Sequence, residues 1–164
     1  MHPAAQTDQA ILAEVDLRFG RVSGPGGQHR NKTESAAYLH HRPTGLIGQA
    51  TERRSQAENR RVALDRLRRA LAVAIRTERQ EVSPLWASRR RGSRIACNPE
   101  HVDYPALLAE ALDQLAAAGW DPRGASMVLG VSATQLVRLV ADHPPALELL
   151  NQERVHRGLH PLKG

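Results

Sequence analysis

The 164-residue sequence predicts an α+β fold: a small sheet packed on a long helix, with an exposed glycine-rich loop and an all-α appendage after it. Three observations carry that prediction. Alternating segments fall before residue 52, one long amphipathic stretch follows Ser55, and helical periodicity punctuated by prolines occupies residues 105–164. In chain order, Thr7 is placed to cap a short helix ending at Ala13. Val15-Asp-Leu-Arg-Phe19 alternates in the manner of a strand. Ser23-Gly-Pro-Gly-Gly-Gln-His-Arg-Asn31 is a loop by its glycines. Ser35–His40 and Leu46–Thr51 read as two further strands, joined by a turn at Arg42-Pro-Thr-Gly45. Ser55 then caps the long helix, whose Leu64, Leu67, Leu71 and Ile75 recur at spacings of three and four. Residues 81–104 contain Ser83-Pro84, Arg89-Arg-Arg-Gly-Ser-Arg94 and Asn98-Pro99 and read as a basic linker. The appendage reads as helices over Pro105–Ala118, Pro122–Leu129, Ala133–Asp142 and Ala146–Arg157. The expected domains are therefore residues 1–80, 81–104 and 105–164.

Composition narrows the function. The longest unbroken apolar run is Ala70 to Ile75, far short of the about 20 residues a membrane-spanning helix needs. The first residues offer neither a basic nor an apolar stretch of the kind a secretory leader has. Cys97 is the single cysteine, which excludes a disulfide framework and a thiolate zinc site; a reducing cytoplasm is the expected setting. His29, His40 and His41 have no i,i+4 partner, so no metal is expected. The formal net charge is +6 and unevenly placed. Residues 53–94 hold thirteen basic and four acidic side chains, whereas residues 95–164 hold five and eight. Such a block, nearly all arginine, points to an anionic partner, most simply nucleic acid. Only 3% of residues are aromatic, so phosphate and shape contacts are expected rather than base stacking. Arg61, Arg68, Arg76 and Arg79 fall on one flank of the long helix's stripe and are read as part of that surface.

The loop Gly24-Pro25-Gly26-Gly27-Gln28 is the most informative segment. Its glycines allow close backbone approach to another surface. No Gly-Lys-Ser/Thr follows, so it is not a phosphate-binding Walker loop. The wider run Arg21-Val-Ser-Gly-Pro-Gly-Gly-Gln-His-Arg-Asn-Lys-Thr-Glu-Ser-Ala36 resembles the signature of the class I peptide-release-factor catalytic domain. Pro43-Thr-Gly45 and Arg54-Ser-Gln-x-x-Asn-Arg60 follow at that family's spacing, so the resemblance covers about residues 15–75.

The resemblance implies a specific activity. In that family the Gly-Gly-Gln loop enters the ribosomal peptidyl-transferase centre and promotes water attack on the ester joining a nascent peptide to tRNA. Gly26, Gly27 and Gln28 then form the catalytic tip, and Gln28 is a candidate for the family's N5-methylation. A glutamine amide does not titrate, so Gln28 acts by positioning water and by its backbone N–H, not as a general base. One such donor to developing negative charge is worth about 3 kcal/mol, or about 10²-fold in rate. Arg21, Ser23, His29, Arg30, Asn31 and Lys32 around the loop are RNA-binding candidates, with Arg54, Arg60, Arg61, Arg89, Arg90, Arg91 and Arg94 beyond it. Asn31 serves equally as a cap of the next turn. The implied partners are the ribosome, through large-subunit rRNA and peptidyl-tRNA; no cofactor and no membrane are implied.

Departures from the family pattern matter as well. Arg30 stands for a usual valine, His40 for a usual threonine and Arg53 for a usual glutamate. Only fourteen residues precede Val15, so stop-codon reading is not expected. The helical tail is not the lysine- and arginine-rich tail of the short ribosome-rescue hydrolases; residues 105–164 are expected to dock on a protein partner or a particular ribosome surface rather than on bulk RNA, the alternative being a stabilising cap on the catalytic domain. Gly124-Ala-Ser-Met-Val-Leu-Gly-Val-Ser-Ala-Thr-Gln-Leu-Val-Arg-Leu139 resembles a helix-turn-helix, with Gly130-Val-Ser132 as its turn. Arg138 is the one base on its second helix, which favours plain helix packing. The reading is codon-independent ribosome rescue. A non-catalytic ribosome- or RNA-binding protein and a DNA-binding regulator built on the tail are its rivals.

Overall fold

The computed structural model describes residues 1–21 and 34–164. It is α+β, with seven α-helices and two small antiparallel sheets among the described residues. The chain divides into two compact units, residues 6–71 and residues 1–5 with 72–164.

In the first unit, Thr7 accepts from the Ala10 amide and opens α1 (Asp8–Ala13). β1 (Val15–Gly20), β2 (Ala36–His41) and β3 (Ile47–Ala50) form an antiparallel sheet in that order. β1 and β2 pair from Val15 opposite His41 to Gly20 opposite Ala36. β2 is the central strand and the most buried, with Ala36, Ala37 and Leu39 inside. α2 (Gln56–Ala74) supplies Ala63, Leu64, Leu67 and Leu71 to the same core. β3 approaches α2 so closely that a Cβ on Gly48 would meet the Ala63 carbonyl and lie 2.8 Å from the Leu67 amide nitrogen. His41 is buried beneath the β2–β3 turn, with Nδ1 2.8 Å from the Thr44 hydroxyl and Nε2 3.2 Å from Glu14. Gly45 completes that turn at φ +74°. The histidine is thus a brace for the turn, while His40 is exposed beside Asp16.

The second unit is helical. α3 (Pro84–Arg89) is capped by Ser83. β4 (Arg90–Arg91) and β5 (Arg94–Ile95) make a short ribbon, and α4 (Tyr104–Ala117), α5 (Pro122–Leu129), α6 (Ala133–Ala141) and α7 (Pro144–His156) follow. α4 is the core element: Leu107, Leu108, Leu112 and Leu115 are fully buried. Residues 81–104, read from sequence as a basic linker, therefore carry a helix and a ribbon. The indole N–H of the fully buried Trp86 donates to the Leu129 carbonyl at 2.9 Å, which fixes that segment to α5. Trp120 also closes the core. It is 4% exposed, sits at φ +64°, and its carbonyl accepts from Arg154 at 2.8 Å. α5 and α6 bend by 101° at Gly130, whose φ of +66° suits a glycine in the turn. Among the described residues, no single helix is long and apolar enough to cross a membrane.

Candidate functional site

The Gly-Gly-Gln segment lies on the connection from β1 to β2. Ser23, Gly26, Gly27, Gln28, His29, Arg30, Asn31 and Lys32 fall outside the described residues. What the structure describes is the base from which the connection leaves and to which it returns. Gly20 pairs with Ala36 across the sheet. Just beyond that pair, exposed Arg21 lies 3.8 Å from exposed Glu34.

The returning end is held by α2. The Gln56 side-chain amide donates to the Glu34 carbonyl at 2.5 Å. The fully buried Asn59 amide donates to the Ser35 carbonyl at 2.7 Å and to the Arg53 carbonyl at 2.8 Å. Its oxygen accepts from the Arg53 amide at 3.0 Å. Asn59 thus uses both halves of its amide to close residues 53–59 on themselves and to tie them to β2. Ser55 caps the same helix end, accepting from Glu58 at 3.3 Å. Sequence reasoning took the arginines of Arg54-Ser-Gln-x-x-Asn-Arg60 as its functional members and passed over Gln56 and Asn59. Their signal was two amides three positions apart in the first turn of α2, one turn face aimed at a neighbouring backbone.

The thirteen basic residues of 53–94 fall into two groups. Six are paired with carboxylates. Arg66 bonds Glu52, Arg68 bonds Asp8 at 2.6 Å, and Arg69 bonds Asp65 at 2.6 Å. Arg76 lies 3.7 Å from Asp113 and Arg79 lies 3.8 Å from Glu110. Arg89 bonds Asp103 and contacts His101. This corrects the reading of Arg61, Arg68, Arg76 and Arg79 as one phosphate-facing flank. Arg68 is 7% exposed, and Arg76 is half-buried against Asp113, itself buried; burial depresses the Arg76 pKa. Buried Asp113 and Glu110 direct Arg76 and Arg79, and Asp8, itself exposed, holds the buried Arg68. Arg89, a predicted RNA contact, is likewise tied within the protein. The remaining seven, Arg53, Arg54, Arg60, Arg61, Arg90, Arg91 and Arg94, are exposed and make no ion pair with a described carboxylate. Arg54, Arg60 and Arg61 stand beside the Asn59 amide in sequence, on the loop and first turns of α2.

Glu52 illustrates how far such a pair acts even at the surface. Its hydrogen bond from Arg66, with the Thr51 amide adding a second at 2.9 Å, holds its carboxyl down to about 2.

A hairpin that carries Gly-Gly-Gln between its strands, backed by a helix whose first-turn amides grip the return and whose Arg60 and Arg61 stay unpaired beside them, defines the class I peptide-release-factor type of domain. The RF-1 domain family matches residues 8–97, more than half of the chain, and the chain belongs to that family. It is 52% identical over 81 residues to peptide chain release factor 2 of Variovorax paradoxus, covering 46% of this chain and 22% of that protein. It is 46% identical over 71 residues to peptide chain release factor 1 of Acidiphilium cryptum, covering 42% and 20%. It is 42% identical over 82 residues to the mitochondrial peptide chain release factor 1-like protein of Rattus norvegicus, covering 49% and 21%. The matched part is about a fifth of each relative's length.

Proposed function

We propose that this protein hydrolyses the ester of peptidyl-tRNA in the ribosomal peptidyl-transferase centre, and that it does so without reading a codon. The observation that carries the reading is the Gly26-Gly27-Gln28 tip on a hairpin connection whose base is fastened at Glu34 and Ser35 by Gln56 and Asn59. A tip that must approach an rRNA-enclosed ester needs a stiff base, because catalysis by positioning loses its effect when the donor moves by an ångström. Gly27 leaves the backbone bare for that approach. Gln28 orders water and offers its backbone N–H to the developing oxyanion. The rRNA and the tRNA supply the rest, so the free protein is close to inert. Exposed Arg53, Arg54, Arg60 and Arg61 offer phosphate contacts next to the clamp.

The substrate in this reading is a peptidyl-tRNA left on a stalled ribosome. The test measures peptide release from ribosomes on mRNAs truncated in the P-site codon and from ribosomes halted at a stop codon. Wild-type protein is expected to release peptide from both at comparable rates. Gly27→Ala and Gln28→Ala are expected to bind these complexes and lose at least about 10²-fold in release. Undiminished release by Gly27→Ala would refute the catalytic assignment, and release confined to stop-codon complexes would refute codon independence.

A further inference from the structure

The helical unit brings together basic side chains from elements far apart in sequence. Arg91 and Arg94 on the β4–β5 ribbon and Arg138 on α6 line one cleft of about 550 Å³, with Gln135 and Asp142 on its α6 side. All three arginines are exposed, and none forms an ion pair with a described carboxylate. Asp142 is the one acidic lining residue, so the cleft holds three positive charges against one negative.

The cleft is stitched rather than loose. The Ser132 amide, at the start of α6, donates to the Ser93 carbonyl in the ribbon's turn at 2.9 Å. The Ala96 amide donates to the Arg89 carbonyl at 2.8 Å, and Trp86 bonds the Leu129 carbonyl at 2.9 Å. One guanidinium nitrogen of Arg91 is fixed on the Ser88 and Arg90 carbonyls at 2.7 and 2.8 Å. Guanidinium groups set in place before a ligand arrives lose less freedom on binding it.

Of the eight acidic residues in 95–164, Asp142 alone lines this cleft. Glu110 and Asp113 are buried and engaged with Ser83 and Thr77. Asp103 is bonded to Arg89, and Glu153 to Arg157. Half of the segment's acids are thereby spent on internal partners.

We propose that the ribbon–α6 cleft is an RNA-binding site that grips the phosphodiester backbone of folded RNA. Arg91 and Arg94 lie within the RF-1 match, which ends at residue 97, and Arg138 and Gln135 lie beyond it, so the site joins the end of the matched segment to the helices that follow. The choice of RNA over DNA rests on the peptide-release reading; the phosphate chemistry rests on the cleft alone. The appendage thus meets RNA locally, against the expectation that its overall charge directs it to protein.

The test uses full-length protein and a fluorescein-labelled RNA hairpin, with a DNA hairpin of the same sequence alongside, read by anisotropy over a salt series. The variants are Arg91→Ala/Arg94→Ala/Arg138→Ala, Arg138→Ala, Arg138→Lys, and Arg123→Ala as an exposed arginine outside the cleft; thermal melting checks that each folds. Expected are a loss of at least about tenfold for the triple variant and a salt slope shallower by about two units, at about 0.7–0.9 per lost contact. Arg138→Lys should recover most of what Arg138→Ala loses. Unchanged affinity and slope in the triple variant would overturn the proposal. So would an equal loss from Arg123→Ala, which would indicate bulk charge, or tighter binding of the DNA hairpin. Gly27→Ala should bind the hairpin as wild type does. If arginine-dependent RNA binding holds while release fails, the function is wrong and the cleft stands; the converse result removes the cleft and leaves the function.

Discussion

Asn59→Ala is the substitution that most directly tests the clamp. It removes one donor group that serves two carbonyls, of Ser35 and Arg53, and one acceptor that serves the Arg53 amide. The bond to Ser35 is buried, and those to Arg53 are partly so. A buried polar group left without a partner costs about 1–3 kcal/mol. Water can reach the Arg53 groups and recover part of their loss, so the whole cost should be about 2–4 kcal/mol. Urea unfolding followed by circular dichroism measures it: the midpoint should fall with an unchanged slope. Asn59→Asp is the sharper variant. It keeps the shape and sets carboxylate oxygens against two carbonyls at 2.7 and 2.8 Å, so it should cost at least as much as alanine. Well below the unfolding midpoint, peptide release at saturating protein should still be slower by about tenfold or more, because the tip's base is no longer fixed. Half-saturating concentration should stay near wild type, since Arg54, Arg60 and Arg61 remain. A stability loss under about 1 kcal/mol, or release at the wild-type rate, would refute the reasoning.

Other consequences are equally open to measurement. Gly48→Ala should prevent stable folding of residues 6–71, because its Cβ would meet backbone atoms of Ala63 and Leu67 that cannot give way; Gly45→Ala, in open space at φ +74°, should cost about 1 kcal/mol in a melt. Arg68→Ala should lower stability by about 1–3 kcal/mol through lost packing and leave RNA affinity unchanged, whereas Arg61→Ala should do the reverse in anisotropy and melting assays. His2 is buried with Nδ1 accepting from the Ala4 amide at 3.0 Å and Nε2 3.0 Å from the Ile75 carbonyl, and burial lowers its pKa from 6.5. A folded-state pKa below the unfolded one means its contribution is present above pH 6.5 and lost as pH falls through the folded value. His2→Gln should therefore flatten the stability profile of the helical unit below pH 6.5, and an unaltered profile would contradict the single-tautomer arrangement.

The elements that sequence reasoning located best are those with local signals. Thr7, Ser55 and Ser132 each cap the helix start they were expected to mark or to precede, and Pro122 opens α5. β3 alternates as a strand with one buried and one wet face should, whereas β1 buries Val15 and leaves Asp16, Leu17 and Arg18 exposed, so its sequence alternation marked a strand without a matching buried face. Residues 81–104 were opaque because their elements are too short for periodicity. What orders them is Trp86 meeting Leu129 and Arg89 meeting Asp103, contacts that no local pattern encodes. The site was legible in a similar proportion. Gly26, Gly27 and Gln28 announce themselves by residue type, but Gln56 and Asn59 do not, since an amide in a first helical turn usually has only solvent or its own helix to bond.

Charge is where reading along the chain and reading the fold part most clearly. A segmental count treats every arginine as a field source, yet a guanidinium held by a carboxylate contributes little to the potential outside. Asp8, Glu110, Asp113 and Asp103 come from three separate stretches, and each removes one arginine of the basic block from the exterior. Asp103, Glu110 and Asp113 are thereby removed from the acidic balance of residues 95–164, and that segment of negative net charge still presents Arg138 beside Arg91 and Arg94. Three arginines of the basic block, Arg76, Arg79 and Arg89, are neutralised by three carboxylates of the acidic segment. The unpaired arginines of residues 53–94 lie at two places, the Arg53–Arg61 end of α2 and the ribbon that faces Arg138 of α6, and those two places are where phosphate should bind.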